Sequence, residues 1–122
     1  MKLHLDSASG LNHFTGYGAG YVSINHKRYE SSVVVAPARE VVSWDVAGFD
    51  ALTASDFEKL LELEPEIVIF GSGEALRFPH PQLTRGLAAQ SVGVEVMDTK
   101  AACRTYNILV AEGRQVVAAL LL

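Results

Sequence analysis

One stretch of sequence, Ile67-Val68-Ile69-Phe70-Gly71-Ser72-Gly73, decides the fold of this chain. Its uninterrupted apolar run is typical of a central β-strand that is covered on both faces. The glycines stop the run and predict a turn at the end of the strand. A strand of this kind belongs in a layered α/β structure, and the neighbouring sequence agrees with that class.

Helices and strands alternate on both sides of this strand. Upstream, Ser55 followed by Glu58 has the form of a capping box, so a helix is predicted to begin there and to end at Pro65. Downstream, Pro81 is placed for the first turn of a second helix, and a strand is predicted over 92–97. Strands joined by helices of this length imply crossover connections and at least partly parallel pairing.

The last part of the chain is predicted to form a third helix and a final strand. Thr99 is expected to cap that helix, and Gly113 to follow its last turn. The final strand is predicted over 114–122. Apolar stripes at helical spacing predict the inward faces of the second and third helices, which are Leu83, Leu87 and Ala88, and then Ala101, Ala102, Thr105, Ile108 and Leu109.

The first half is predicted to consist of short strands and hairpins. A glycine-rich loop is expected around Tyr17, and four polar residues from Asn25 suit a hairpin connection. The predicted strands cover 3–5, 21–24, 29–35 and 40–44. The sequence therefore predicts a three-layer α/β structure, a single domain over 1–122, with a central mixed β-sheet. Its first half is rich in hairpins, and its second half alternates helix and strand.

Length and composition argue against several classes of protein. At 122 residues the chain has the size of one domain, and no apolar run is long enough to cross a bilayer. A net charge of -4 argues against a nucleic-acid partner, which needs a basic surface. The stretch 1–6 lacks the apolar core of a secretory signal, and a lone cysteine fits a reducing compartment. We therefore expect a cytoplasmic location.

A cleft is predicted where two strands end. Gly71-Ser72-Gly73 follows one strand, and Asp98-Thr99-Lys100 joins the next strand to a helix. Open α/β sheets bind ligands at such places, and free N–H groups at a helix start, with Lys100 and Arg104 on one helix face, favour a carboxylate or phosphate. The alternative is an ordinary turn beside a helix that Thr99 caps, with both cations solvated.

Two further residues complete the candidate ligand-binding set, Thr105 and Asn107. Asparagine is a poor helix former, so a buried Asn107 in mid-helix needs partners and is expected either to fix a loop or to line a cavity. Arg77 and Arg85 flank a Pro-His-Pro segment and could add charge to the same crevice.

No catalytic residue, metal ligand or cofactor is predicted. The Gly71-Ser72-Gly73 turn lacks the third glycine of a dinucleotide site and the lysine of a P-loop, and its serine lacks the flanking glycines of a nucleophile elbow. The four histidines show no metal-ligand spacing. Cys103 is expected inside a helix as a small apolar residue. These observations favour a protein that is not an enzyme.

The pattern Met-x-Thr-x-x-Ala-x-x-Thr-Tyr-Asn, from Met97 through Asn107, resembles a family of small α/β domains. That family includes the mitochondrial complex I assembly factor 3 and the adipogenesis-associated domain protein. The stretches 67–73 and 112–116 extend the resemblance, which covers about residues 20 to 122. It implies a three-layer domain with a mixed sheet, no established reaction for bacterial members, and a shared cleft formed by Gly71, Gly73, Thr99, Thr105, Tyr106 and Asn107.

Three functions follow from these observations, in order of preference. The first is a non-catalytic interaction or assembly domain that binds a protein partner through a surface beside the cleft. The second is a binder of a small anionic metabolite in the cleft, and the third is an enzyme that uses the same cleft. A homodimer is a further expectation, because an edge strand over 40–44 or 21–24 could pair between two copies.

Overall fold

The computed structural model describes residues 10–122, so the strand predicted at Leu3 and Leu5 lies outside the described residues. Two sheets and three α-helices make up the described part of the chain. The strands are β1 (Phe14–Gly18), β2 (Tyr21–Ile24), β3 (Lys27–Tyr29), β4 (Val33–Val35), β5 (Val42–Ser43), β6 (Ile67–Gly71), β7 (Gly93–Met97) and β8 (Val116–Leu120). The α-helices are α1 (Ala54–Glu58), α2 (Pro81–Ala89) and α3 (Thr99–Ala111), with 3-10 turns at Phe49–Ala51 and Lys59–Leu63.

The larger sheet is mixed, with strand order β5-β4-β8-β6-β7. The predicted central strand β6 pairs in parallel with β7 on one side and with β8 on the other. β4 runs antiparallel to both β8 and β5, so the hairpin-rich half of the chain supplies the antiparallel edge. The prediction of a central mixed sheet is confirmed.

Each face of this sheet is covered by its own core. On one face α1, the following 3-10 turn and α2 bury Phe57, Leu60 and Leu87 against Phe70. On the other face α3 and the small three-stranded sheet β1-β2-β3 enclose Ile69. Alternate side chains of β6 therefore enter opposite cores, as the period of a strand requires. The predicted three-layer architecture is confirmed.

The first half differs from the prediction in its details. Of the three glycines expected in a loop around Tyr17, Gly16 and Gly18 lie in strand β1, which pairs with β2, and Gly20 lies in the turn between these strands. The hairpin turn is only Asn25-His26, both with positive φ, as in the tight turns that match strand twist. The run predicted as one strand over 29–35 is divided between two sheets, because β3 pairs with β2 while β4 pairs with β8.

Helix starts also differ from the predicted caps by one or two residues. The capping box at α1 joins Thr53 with Asp56, so the Ser55–Glu58 box is wrong. Asp98, whose side chain accepts a bond from the N–H of Ala101, caps α3 in place of Thr99. Pro81 begins α2 as predicted. The end of α3 is a Schellman arrangement at Gly113, where φ is 79°.

The buried stripe of α3 is rotated from its predicted position. Ala102, Cys103 and Tyr106 are fully buried, whereas Ile108 is 59% exposed. Ala88 on α2 is likewise exposed. Cys103 and Tyr106 form the centre of the buried stripe, and this turns the inward face of α3 away from Ile108.

Candidate functional site

The carboxyl ends of β6 and β7 bring the two predicted segments, 71–73 and 98–100, together. The N–H of Gly73 donates to Thr99 Oγ1 at 2.9 Å, and the N–H of Thr99 donates to the carbonyl oxygen of Gly73 at 2.9 Å. The N–H of Ser72 donates to the carbonyl of Met97, also at 2.9 Å. The segments are thus held against each other by reciprocal hydrogen bonds.

Thr99 extends this junction to the end of β8. Its buried hydroxyl donates to the carbonyl oxygen of Leu121 at 2.8 Å while it accepts from Gly73. Gly71 allows the close approach, because a Cβ there would lie 2.6 Å from Leu120 Cδ2 and 3.2 Å from Thr99 Cα. Thr99 therefore contributes a buried link between three segments, which neither predicted role described.

The junction leaves little space for the predicted anion. The N–H groups of Gly73 and Thr99 bind each other's oxygens, and the Asp98 carboxylate already occupies the N–H of Ala101. The neighbouring cavity, which Lys100 helps to line, holds about 30 Å³, enough for roughly one water molecule. An anionic metabolite would have to displace these bonds, and its binding here stays a prediction.

The remaining residues of the candidate set, Arg104, Thr105 and Asn107, lie on α3, and two of them contact the small sheet. Arg104 Nη1 donates to the Tyr17 hydroxyl at 2.9 Å, and this bond raises the pKa of Arg104. The Asn107 side chain accepts from the N–H of Phe14 and donates to its carbonyl, both at 2.8 Å. Asn107 therefore fixes strand β1 to α3. Thr105 is half-buried on the same helix.

The residue next to Asn107 reinforces this attachment. The Tyr106 ring is fully buried and meets Phe14 edge to face, with ring centroids 5.1 Å apart. Its hydroxyl donates to the carbonyl oxygen of Asn12 at 3.0 Å. Burial raises the pKa of Tyr106. The Tyr-Asn pair at the end of the family pattern thus has a structural use, since it anchors the small sheet.

An exposed loop that was not among the predicted site residues lies beside the junction. We call residues 74–80, between β6 and α2, the display loop. Ser72 Oγ donates to the carbonyl of Ala75 at 2.8 Å and accepts from the N–H of Arg77 at 3.0 Å. Arg77 stacks 4.0 Å from the centre of the Phe49 ring and pairs with Asp50 at 3.2 Å. The loop is therefore held through its backbone by Ser72 and through the side chain of Arg77.

The display loop presents two large apolar side chains to solvent. Leu76 is 53% exposed and Phe78 is 69% exposed. Arg77, which lies between them, turns to Phe49 and Asp50 and does not line the predicted cleft. The available signal was two apolar residues in a proline-containing stretch that has neither helical nor strand periodicity. Such residues have no predicted core to enter.

Cys103 offers a test of the α3 core. Burial raises the pKa of its thiol to about 12 from 9.0, and the side chain is fully buried. We expect no reaction of the folded protein with iodoacetamide from neutral pH up to about pH 9, and rapid reaction in urea. Mass spectrometry of samples taken at increasing times measures the extent of labelling. Rapid labelling of the folded protein would contradict the described packing.

The linkage between this thiol and folding has a defined sign. Because the pKa is raised in the folded state, the unfolded chain loses its proton first as the pH rises. The contribution of Cys103 to stability is complete below the unfolded pKa of about 9 and falls between that value and about 12. Cys103→Ala should reduce this alkaline loss, measured by urea unfolding across that range.

Two kinds of feature are absent from the described residues. Within 10–122 there is no group of three or more histidine, cysteine, aspartate or glutamate side chains placed to hold a metal ion. None of the helices in that part of the chain has the length and apolar character needed to cross a membrane.

Comparisons with known proteins place the chain among relatives of similar fold. It is 36% identical over 123 residues to NADH dehydrogenase [ubiquinone] 1 alpha subcomplex assembly factor 3 of Bos taurus, covering 99% of this chain and 61% of that protein. A crystal structure of a Bordetella parapertussis protein superimposes with a TM-score of 0.88 at 45% identity, covering 92% of this chain and 96% of the other. The solution structure of a Bordetella pertussis protein, a Mth938-like domain, superimposes with a TM-score of 0.83 at 39% identity. The match covers 99% of this chain and 92% of the other.

The family itself follows from a match over most of the chain. Residues 14–121 match the model of the family described as "Protein of unknown function (DUF498/DUF598)". The resemblance inferred from the Met97-to-Asn107 pattern is confirmed by the bovine relative, although this chain spans less than two thirds of that protein's length. The chain therefore belongs to the DUF498/DUF598 family.

Proposed function

We propose that this chain is a non-catalytic interaction domain that helps to assemble a larger protein complex and binds its partner through the display loop. The observation that carries the proposal is the exposure of Leu76 and Phe78 on a loop fixed by Ser72 and Arg77. The bovine relative is named as an assembly factor, which supports an assembly role. By that likeness, a subunit of an NADH dehydrogenase is the first partner to test.

Exposed apolar side chains on a fixed loop have the properties of an interface anchor. Four large hydrophobic residues are strongly exposed in the described part of the chain, and two of them, Leu76 and Phe78, share this loop. An aromatic residue buries a large area when a partner covers it. A loop already held in one conformation loses less entropy on binding than a flexible one.

The surroundings of Ser72 support the non-catalytic part of the proposal. Its hydroxyl binds Ala75 and Arg77 in the display loop and lies 3.3 Å from the carbonyl oxygen of Met97. A nucleophilic serine needs a base that accepts its proton, whereas the partners of Ser72 are backbone groups. The Ser72 hydroxyl thus serves to shape the loop.

The test compares partner capture by three forms of the tagged protein at native expression. The double variant Leu76→Ser with Phe78→Ser should lose its partner, because truncating an anchor of this type weakens binding by about 30-fold or more. The control is Ile108→Ser, which removes an exposed apolar side chain from α3 and leaves the display loop unchanged. Both variants should melt within a few degrees of the unmodified protein, since surface changes cost little.

A partner that binds through the display loop is recovered with the unmodified chain and with the control, but is lost with the loop variant. NADH dehydrogenase subunits are quantified among them by mass spectrometry. Recovery of the same proteins by all three forms would contradict the display loop as the binding surface. Recovery of no protein above background by any form would contradict the interaction function itself.

A further inference from the structure

We propose that strand β5 and the groove beside it form a second protein-binding site, for an extended peptide segment that combines apolar and basic residues. The segment would add to the free edge of β5 and place an apolar side chain in the groove. This inference rests on the proposed function, because it assigns the chemistry of a partner segment to an interaction domain. It concerns a surface separate from the display loop.

The first observation is the open edge of the larger sheet. β5 pairs with β4 on one side and ends the strand order of that sheet, so the described residues place no strand on its outer side. Its residue Val42 is half-exposed, at 50%. Backbone groups at such an edge are ready to pair with another chain, and added strands are a common mode of peptide recognition.

The second observation is a groove of about 400 Å³ between β5 and the helical segment that begins with α1. Its apolar wall comes from Val42 and Trp44 on one side and from Leu60 and Leu63 on the other. A groove of this size accommodates a leucine or phenylalanine side chain. An added strand would project alternate side chains to this side, and one of them could enter the groove.

The third observation is the charge of the groove, which determines the kind of segment that it favours. The groove is lined by three acidic side chains, Asp45, Asp56 and Glu62, and by one basic side chain, Lys59. Asp56 also receives the bonds of the α1 capping box. Complementary charge at an interface favours the matching partner and suppresses others. The groove therefore favours lysine or arginine beside the apolar anchor.

The same charges argue against a second copy of this chain at β5. Two copies would bring equal acidic groups together, and like charges across an interface are unfavourable. The other edge proposed for pairing between copies, β2, lies between β1 and β3 in the small sheet and has no free side. A basic segment of a different protein is thus the occupant that the structure favours.

The experiment uses the full chain and a synthetic peptide in which lysine alternates with leucine and valine. Trp44 is the only tryptophan and lines the groove, so its fluorescence reports occupancy. We expect a saturable change in emission. Val42→Lys, which blocks the groove, should weaken binding by about tenfold or more, as loss of a central contact does. Ile108→Lys adds the same charge on an exposed site of α3 and should bind normally.

A second pair of variants tests the charges. Asp45→Asn with Glu62→Gln should weaken binding several-fold at low salt, whereas Glu95→Gln with Glu112→Gln, the same change in net charge away from the groove, should not. A matched peptide with glutamate in place of lysine should leave the emission unchanged. Equal binding of both peptides, or unchanged affinity after Val42→Lys, would overturn the proposal, as would the absence of any emission change.

These outcomes are independent of the display loop. The variant Leu76→Ser with Phe78→Ser should still bind the lysine peptide with unchanged affinity, because Trp44 and the acidic side chains of the groove are intact in it. If the peptide fails to bind while the display loop still captures its partner, only the β5 site is wrong. A peptide affinity that falls with the display-loop variant would also count against a separate site.

Discussion

Phe70→Ala is expected to lower the free energy of unfolding by about 3–5 kcal/mol, the usual cost of removing a buried aromatic ring. The Phe70 ring is 0% exposed and meets Phe57 and Trp44 edge to face, with centroids 5.4 Å and 6.0 Å away. Its loss leaves a cavity between the central sheet and α1. Urea unfolding, followed by circular dichroism, measures the change.

The matched control is Phe78→Ala, the same substitution in the display loop. Because Phe78 is exposed, its truncation should change stability by no more than about 0.5 kcal/mol. The pair separates a phenylalanine that holds the fold from one that is free to bind. A cost for Phe78→Ala as large as that for Phe70→Ala would mean that Phe78 packs inside the protein, and the display loop would lose its proposed role.

The second large effect is expected at Thr99. Thr99→Val keeps the branched shape but removes the hydroxyl, which leaves the N–H of Gly73 and the carbonyl of Leu121 without their partner. Each buried group left unpaired costs about 1–3 kcal/mol, so a total loss of about 2–6 kcal/mol is expected for the two groups. Denaturant unfolding of purified protein gives this value directly.

Thr84→Val provides the comparison for that substitution. Its hydroxyl lies 3.4 Å from the carbonyl of Pro81 on α2, a longer and more exposed contact, so the change should cost at most about 0.5 kcal/mol. Equal, small costs at both positions would show that the hydroxyl of Thr99 does not secure the junction. The junction would then depend on the backbone hydrogen bonds of Ser72 and Thr99, and the anionic ligand would regain support.

The architecture was predictable because its main signals are local. The apolar run 67–70 marks a strand buried on both faces, and the alternation after it marks crossovers. The division of 29–35 between two sheets was not predictable in the same way. Both halves have strand-forming residues, and only the pairing of β4 with β8, far along the chain, assigns them to different sheets.

The candidate site was also only partly predictable, because it depends on contacts between residues that are distant in the sequence. Strand ends placed Gly73 and Thr99 together in the prediction, and the structure agrees. Whether that junction is open depends on Leu121, a distant acceptor for the Thr99 hydroxyl that no local pattern indicates. The position of the loop that carries Phe78 likewise involves Arg77, which contacts the distant residues Phe49 and Asp50. Tertiary contacts of this kind decide the site and are not encoded in local spacing.

The most direct test of the interaction function is photocrosslinking in living cells, with benzoylphenylalanine in place of Phe78 or, as the control, in place of Ile108. Both side chains are exposed, but only Phe78 lies on the display loop. We predict a discrete adduct with one or a few proteins from position 78, and no such adduct from position 108. No adduct at position 78, or the same adducts from both positions, would contradict the proposal that the display loop binds a partner.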